Sequence, residues 1–222
     1  MSPQPVVVFG DTPFASMVAH CLTHDSPWTV AAFTAHEAYI TNARRDDLPV
    51  VPFETLPTTH PPGDYRMLVA IGQRGMNEVR ATVYREVKGL GYACVSYVSS
   101  RASVWPSVSM GDNCMVFEHA ILQPFVRLGD DVIVRGGAHV SHHCTIGDHV
   151  FIGAGVVMAG ESTVGDHVFL GVGSVLRDRL QIAPRTLVGA GAVILRDTEA
   201  DQVYLGNPAR KTGTSAIEAS RR

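Results

Sequence analysis

At 222 residues the chain has room for two small domains, and 45% hydrophobic against 18% charged residues excludes a disordered or fibrous protein. A formal net charge of −3 leaves no basic footprint, so neither nucleic acid nor an anionic membrane is expected as a partner. Cys21, Cys94, Cys114 and Cys144 show no CxxC or metal-ligand spacing, and the start MSPQPVVVFGD has no charged region followed by a long apolar stretch. Core thiols, no signal peptide, no membrane span and a cytoplasmic location are the expectations.

Val6 to Phe9 is an apolar run ending in Gly10-Asp11-Thr12, the pattern of a buried parallel strand and its turn. Phe14, Met17, Val18, Cys21 and Leu22 follow at helical spacing, and Thr29 to Phe33 predicts a second strand. Residues 36 to 64 give no clear pattern beyond a short apolar piece over 48 to 53. Met67 to Ile71 predicts a third strand ending at Gly72. Met76, Val79, Val83, Val87 and Leu90 mark a second helix, and Ala93 to Val98 a further strand. This order is that of a small Rossmann-like α/β domain over residues 1–98. Such sheets bind ligands at the carboxyl ends of their strands, which here points to Gly10, Asp11, Thr12 and Gly72. FGDTPF lacks the second and third glycines of a dinucleotide fingerprint, so a nucleotide or nucleotide sugar fits better than NAD, and a purely structural domain stays open.

From Val104 to Glu199 the chain divides into hexads, VWPSVS, MGDNCM, VFEHAI and onward, each beginning with Val, Ile, Leu or Met. The fifth residue is mostly small or β-branched, as at Cys114, Val126, Cys144 and Ala192, so two positions per hexad point inward. This is the signature of a parallel β-helix. The pairs Gly111-Asp112, Gly129-Asp130, Gly147-Asp148 and Gly165-Asp166 recur every eighteen residues, so three hexads make one coil of a three-sided prism. One row of hexads is glycine-rich, with Gly153, Gly155, Gly171, Gly173, Gly189 and Gly191, which suits close approach of a partner copy or a ligand. Another row is irregular and carries the adjacent His142 and His143 in VSHHCT. The β-helix is expected over 99–213, with 214–222 as a tail or short helix, and residues from Ala200 onward cover its end.

The segments FGDTPFASM, VAIGQRGMNEVR, VSHHCTIGDH, FLGVGSVL, VGAGAV and VYLGNPAR together resemble the sialic-acid O-acetyltransferase-like group of bacterial sugar acyltransferases. That group includes the N-acetyltransferases of nucleotide-linked amino sugars. The resemblance implies a left-handed β-helix, a homotrimer, acetyl-CoA as co-substrate between neighbouring β-helices, no metal, and a nucleotide-linked sugar held by the N-terminal domain. It also implies a histidine base followed by an acidic residue. His142 takes the base position, and His143 stands where the acidic partner belongs. Gly160, Val172 and Ala190 match positions along which the pantetheine arm passes.

An imidazole titrating at about 6.5 suits removal of a proton from an attacking amine near neutrality. His142 falls at the third place of its hexad, an outward corner, with Gly160 one coil above to leave room beside the ring. An exposed turn histidine is the plainer reading. The eighteen-residue period stacks Glu161 on His143, so Glu161 is expected to accept a hydrogen bond from His143 and replace the missing carboxylate. His149 and His167 also stack, without the spacing of a known zinc trimer, and are expected as corner residues in solvent. O-acetylation of a free sugar or sialic acid, and a non-catalytic nucleotide-sugar-binding protein, remain as alternatives.

Overall fold

The computed structural model describes residues 4–220. Two compact units are present: the first runs to Gly72 and resumes over Arg80–Tyr97, and the second takes Gln73–Val79 with everything from Val98 onward. The sequence places one boundary after residue 98 and gives no sign of the excursion at 73–79.

The first unit is an α/β layer. Its elements are β1 (Val6–Phe9), α1 (Pro13–His24), β2 (Val30–Ala35), β3 (Arg44–Arg45), β4 (Leu48–Pro52), the short α2 (Leu56–Thr59), β5 (Arg66–Val69) and α3 (Glu78–Gly89). The sheet order is β3-β4-β2-β1-β5, parallel throughout except for the β3–β4 pair. Asp46 and Asp47 both take positive φ between β3 and β4, as a two-residue hairpin turn requires. That Asp-Asp pair is the signal missed in the unclear stretch.

Thr12 caps α1 by accepting from the Ala15 N–H, and Pro13 occupies its first position. The buried face is Ala15, Val18, Ala19 and Leu22, so the stripe is rotated from the expected one and leaves Phe14, Met17 and Cys21 partly exposed. α3 begins later than the apolar spacing implies, because Met76 and Asn77 have φ of 55° and 66° and cannot continue a helix. Val79 and Leu90 are exposed, and Arg80, Ala81, Val83, Tyr84 and Val87 form the buried face. The strand expected over 93–98 is reduced to one bridge from Cys94 to Met67 and a two-residue pair at Tyr97–Val98.

The second unit is a parallel β-helix with a strict eighteen-residue register. Ile121 and Leu122 pair with His139 and Val140, which pair with Val157 and Met158, and so on through Val193 and Ile194. First and fifth hexad positions fill the interior, from Cys114 and Val116 to Ala192 and Ile194. Each buried branched side chain contributes about 1.5–3 kcal/mol, and identical stacking lets every coil repeat that contribution. Burial pushes the Cys114 thiol up to about 12, as suits an inert core residue.

The Gly-Asp repeat also has a physical cause. The carboxylates of Asp130, Asp148 and Asp166 accept the backbone N–H of Asp112, Asp130 and Asp148 one coil back, at 3.0, 2.8 and 2.9 Å. Part of the glycine-rich row, Gly153, Gly171 and Gly189, is explained within the chain as well. A Cβ on Gly171 would lie 2.6 Å from the Ala190 nitrogen, so the next coil demands glycine there.

Beyond the last hexads, Gln202–Leu205 extends one face and Arg210–Ser215 returns antiparallel to it, followed by a helical turn at Ala216–Ala219. The expected tail from 214 is therefore built into this end through Ala219. Met76 packs beside Val203 and Ala216, and the Asn77 amide donates to the carbonyls of His167 and Val168 at 3.3 and 3.2 Å.

Candidate active site

Each hexad turns at its third and fourth residues, and the fourth lies in the left-handed region at every corner from Asn113 to Gly191. Inward positions belong to the core, so the corners are where the β-helix can carry chemistry. His142 and His143 are the third and fourth residues of one such corner, both exposed. The main chain of His142 is held on both sides: its N–H donates to Gln123 Oε1 at 3.0 Å, and its carbonyl accepts from the Glu161 N–H at 3.0 Å. Its ring lies flat against Gly160, where a Cβ would stand 2.7 Å from Cε1 and 2.9 Å from Nε2. The space above Gly160 is thus filled by the imidazole itself.

His142 Nδ1 and His143 Nδ1 are 3.1 Å apart, with the rings at 82°. Two neutral imidazoles satisfy this contact only if one nitrogen carries the proton and the other accepts it. With the proton on His142 Nδ1, the Nε2 lone pair of His142 is open to solvent and able to act as a base. His143 has φ of 58°, donates its N–H to the Pro124 carbonyl at 3.2 Å, and lies under the Phe125 ring at 4.7 Å.

Glu161 is stacked one coil above His143, yet it does not bond to it. Arg179, a further eighteen residues on, takes both carboxylate oxygens at 3.2 Å. That guanidinium holds the Glu161 carboxyl below its ordinary value, with smaller help from the nearby His142 and His143. The expected relay from His143 to Glu161 is replaced by a Glu161–Arg179 pair on the solvent side. The reason is reach: Arg179 presents a planar fork that a carboxylate accepts at two points, which an imidazole cannot offer.

Of the residues expected along the co-substrate arm, Gly160 sits at the His142 corner. Val172 and Ala190 stack at a different corner, joined through the Gly191 N–H to the Val172 carbonyl at 2.9 Å. The β-helix face between those two corners carries Val157 and Val175 outward, 43% and 40% exposed. One copy of the chain therefore places Gly160 at one corner and Val172 and Ala190 at another.

In the first unit, Gly10, Asp11, Thr12 and Gly72 do come together at the carboxyl ends of β1 and β5, where the strand order reverses. A Cβ on Gly10 would lie 2.9 Å from both Ala15 Cβ and the Ala70 carbonyl, so packing alone requires glycine. The Asp11 carboxylate is taken by Arg45 and Thr41, and Arg45 also donates to Ser16 Oγ at 3.0 Å. The Gly72 carbonyl accepts from Arg80 at 3.2 Å.

His149 and His167 are not solvated corners. His149 Nδ1 meets the buried Asp131 carboxylate at 2.8 Å, and the two imidazoles lie 4.9 Å apart. Burial, then the neighbouring His149, pushes the His167 imidazole down. Among the described residues no group of three or more His, Cys, Asp or Glu is placed to hold a metal. Gln123, Phe125 and Arg179 were missed from sequence, although reading the corner columns at steps of eighteen from His143 lands on Phe125, Glu161 and Arg179.

The bacterial transferase hexapeptide family, six repeats, matches residues 125–160. PerB from Caulobacter crescentus, solved with CoA and GDP-perosamine, is 31% identical over 94% of this chain and 97% of its own, with a TM-score of 0.85. The same perosamine N-acetyltransferase has also been solved with one histidine replaced by asparagine or alanine. The acetyltransferase domain of PglB from Neisseria gonorrhoeae, in complex with acetyl coenzyme A, is 26% identical over 94% of this chain and 98% of its own, with a TM-score of 0.83. WeeI from Acinetobacter baumannii, at 22% identity over 93% of this chain and 99% of its own and a TM-score of 0.82, shares the fold. No curated protein sequence matches the chain.

Proposed function

Because the chain belongs to the hexapeptide-repeat N-acetyltransferases of nucleotide-linked amino sugars, we propose that His142 is the general base of its reaction. The protein is an acetyltransferase that moves the acetyl group of acetyl-CoA onto the amine of a nucleotide-linked sugar. The observation that carries the assignment of the base is the His142 ring, exposed, seated on Gly160 and bonded at Nδ1 to His143. Acetyl-CoA supplies the activated acyl group. His142 Nε2 accepts the amine proton as the C–N bond forms, and passes it to the thiolate released when the C–S bond breaks. His143 holds the productive tautomer by accepting from Nδ1–H, the positioning task that a carboxylate performs elsewhere in the family. Glu161, held by Arg179, contributes only through-space charge.

The Rossmann-like first unit holds the nucleotide near Gly10, Asp11, Thr12 and Gly72. Thr12 and Pro13 leave the N-terminus of α1 with few donors to offer, so recognition there relies on loop main chain more than on the helix end. The working form is a homotrimer. The exposed Val157 and Val175 favour a face covered by another copy, which would bring Val172 and Ala190 of one copy to the His142 and Gly160 of the next along the CoA arm. Four cysteines, with Cys94, Cys114 and Cys144 buried, suit the reducing cytoplasm.

The test is CoA release from acetyl-CoA with a panel of nucleotide-linked amino sugars and their hydroxyl counterparts. One amino sugar should give turnover, and His142→Ala should lower kcat by about 10²–10⁴ with the acceptor KM largely kept. Turnover only with a hydroxyl acceptor would make the protein an O-acetyltransferase. A His142→Ala enzyme with wild-type kcat would remove His142 from the base position.

A further inference from the structure

Fourteen successive corners of the β-helix place their fourth residue at positive φ. Asn, Asp, His, Gly, Glu and Arg occupy thirteen of them, residue types that are small or end in a polar group. The remaining one is Phe125, at φ 66°. A bulky aromatic in that region is an outlier that folding does not favour, and strain of this kind clusters at functional sites. Core burial does not account for it, because Phe125 is 55% exposed. One face of its ring lies on His143 at 4.7 Å, and the rest stands in solvent one coil from His142. The corner beneath it is fixed: the Phe125 N–H donates to Ser107 Oγ at 3.2 Å, and the Pro124 carbonyl accepts from the His143 N–H at 3.2 Å.

We propose that Phe125, lying on the His143 ring, is the wall on which the pyranose ring of the acceptor stacks, and so sets which amino sugars are used. A pyranose presents a face of C–H bonds that is apolar, and a fixed aromatic ring is the surface that such a face seeks. Stacking there would lay the sugar beside His142 and restrict which ring position can present its amine to Nε2. The inference rests on the assignment of His142 as base. The competing account is that Phe125 only props the His143 ring, and the two differ in which kinetic constant moves.

Phe125→Ala and Phe125→Tyr would be assayed with GDP-perosamine, or whichever nucleotide-linked amino sugar the wild type uses, against acetyl-CoA. Phe125→Ala should raise the acceptor KM about tenfold, with kcat and the acetyl-CoA KM within about twofold of wild type, and Phe125→Tyr should restore the acceptor KM. Calorimetric titration of the nucleotide sugar in a His142→Ala background should show the same tenfold loss of affinity. That second reading keeps the two assignments separate: if His142→Ala proves fully active the base is elsewhere, while the Phe125 effect on acceptor binding still stands or falls on its own. A drop in kcat with acceptor KM and affinity unchanged would overturn the proposal in favour of the prop. A change of oligomeric state in Phe125→Ala by light scattering would overturn it in favour of a subunit contact.

Discussion

Gly160→Ala is the sharpest probe of how His142, the proposed base, is held. The added Cβ would stand 2.7 Å from His142 Cε1, 2.9 Å from Nε2 and 3.2 Å from Nδ1, whereas ordinary contact begins near 3.4 Å. The ring must therefore retreat by about 0.7 Å, the difference between 3.4 and 2.7 Å. Its backbone cannot follow, because Gln123 and the Glu161 N–H hold the His142 main chain at 3.0 Å on either side. The ring swings instead, and a comparable displacement along the Nδ1 to Nδ1 contact would stretch 3.1 Å to about 3.8 Å, beyond a hydrogen bond. A misplacement approaching 1 Å at a reacting group costs on the order of 10²-fold, so kcat should fall by roughly ten- to a hundredfold. Stability should not fall. Gly160 is outside the positive-φ region, and Gly→Ala at a compatible position stabilises by about 0.4–1 kcal/mol through the unfolded chain. The assay is initial-rate CoA release at saturating acceptor, with a melting curve alongside. Wild-type kcat at an unchanged Tm would show that the seat on Gly160 does not position the base.

Glu161→Gln should leave kcat within about threefold of wild type across the pH range, since an exposed ion pair that touches neither histidine contributes little; a loss matching that of His142→Ala would restore the relay. Val157→Asp combined with Val175→Asp should convert a trimer to monomers by light scattering and abolish turnover together, and an active monomer would refute the inter-subunit site. His167→Asn should reduce the acid sensitivity of the fold: burial keeps the His167 pKa below 6.5, so the unfolded chain takes up a proton that the folded chain refuses, and stability is lost as pH falls below that value. The drop in Tm between about pH 8 and about pH 5.5 should be smaller in the variant, which retains a residue suited to φ 59°, and an equal drop would clear His167 of that role.

The β-helix was legible because its physics is periodic. An inward residue at every sixth position and an Asp carboxylate at every eighteenth are both written in the composition of single columns, so register and corners follow by counting. His142 over Gly160 was legible for the same reason. What could not be counted was competition between side chains for one partner: Glu161 stacks on His143 as the period says, but Arg179 stacks on Glu161 by the same rule and is the better ligand. Counting also could not show that part of the glycine-rich row has a cause within the chain: Gly171 is needed by Ala190 of the next coil, while Val157 and Val175 mark the exposed apolar face proposed to meet another copy. In the first unit, α1 and α3 were found but their buried faces were rotated, since Phe14 and Val79 satisfy a helical spacing without facing the sheet.

A β-helix leaves its sequence little freedom for function. In each hexad the first and fifth residues fill the interior, and the second often has to be glycine or bear on the next coil. The sixth lies outward on the strand, as Val157 and Val175 do, and the third and fourth make the corner, where the fourth must tolerate a left-handed backbone, which favours Asn, Asp, His and Gly. The proposed histidine base and the group that orients it fall on those two positions, so the orienting group is chosen under a backbone constraint as well as a chemical one. Aspartate meets both, and so does His143: it tolerates φ 58° and can accept a proton-bearing Nδ1. It does not bring a negative charge, so under the role proposed for His142 the burden shifts to geometry. That is why the contacts that fix the ring, Gln123 on the main chain and Gly160 beneath it, carry more of the proposed chemistry here than the charge of Glu161 does.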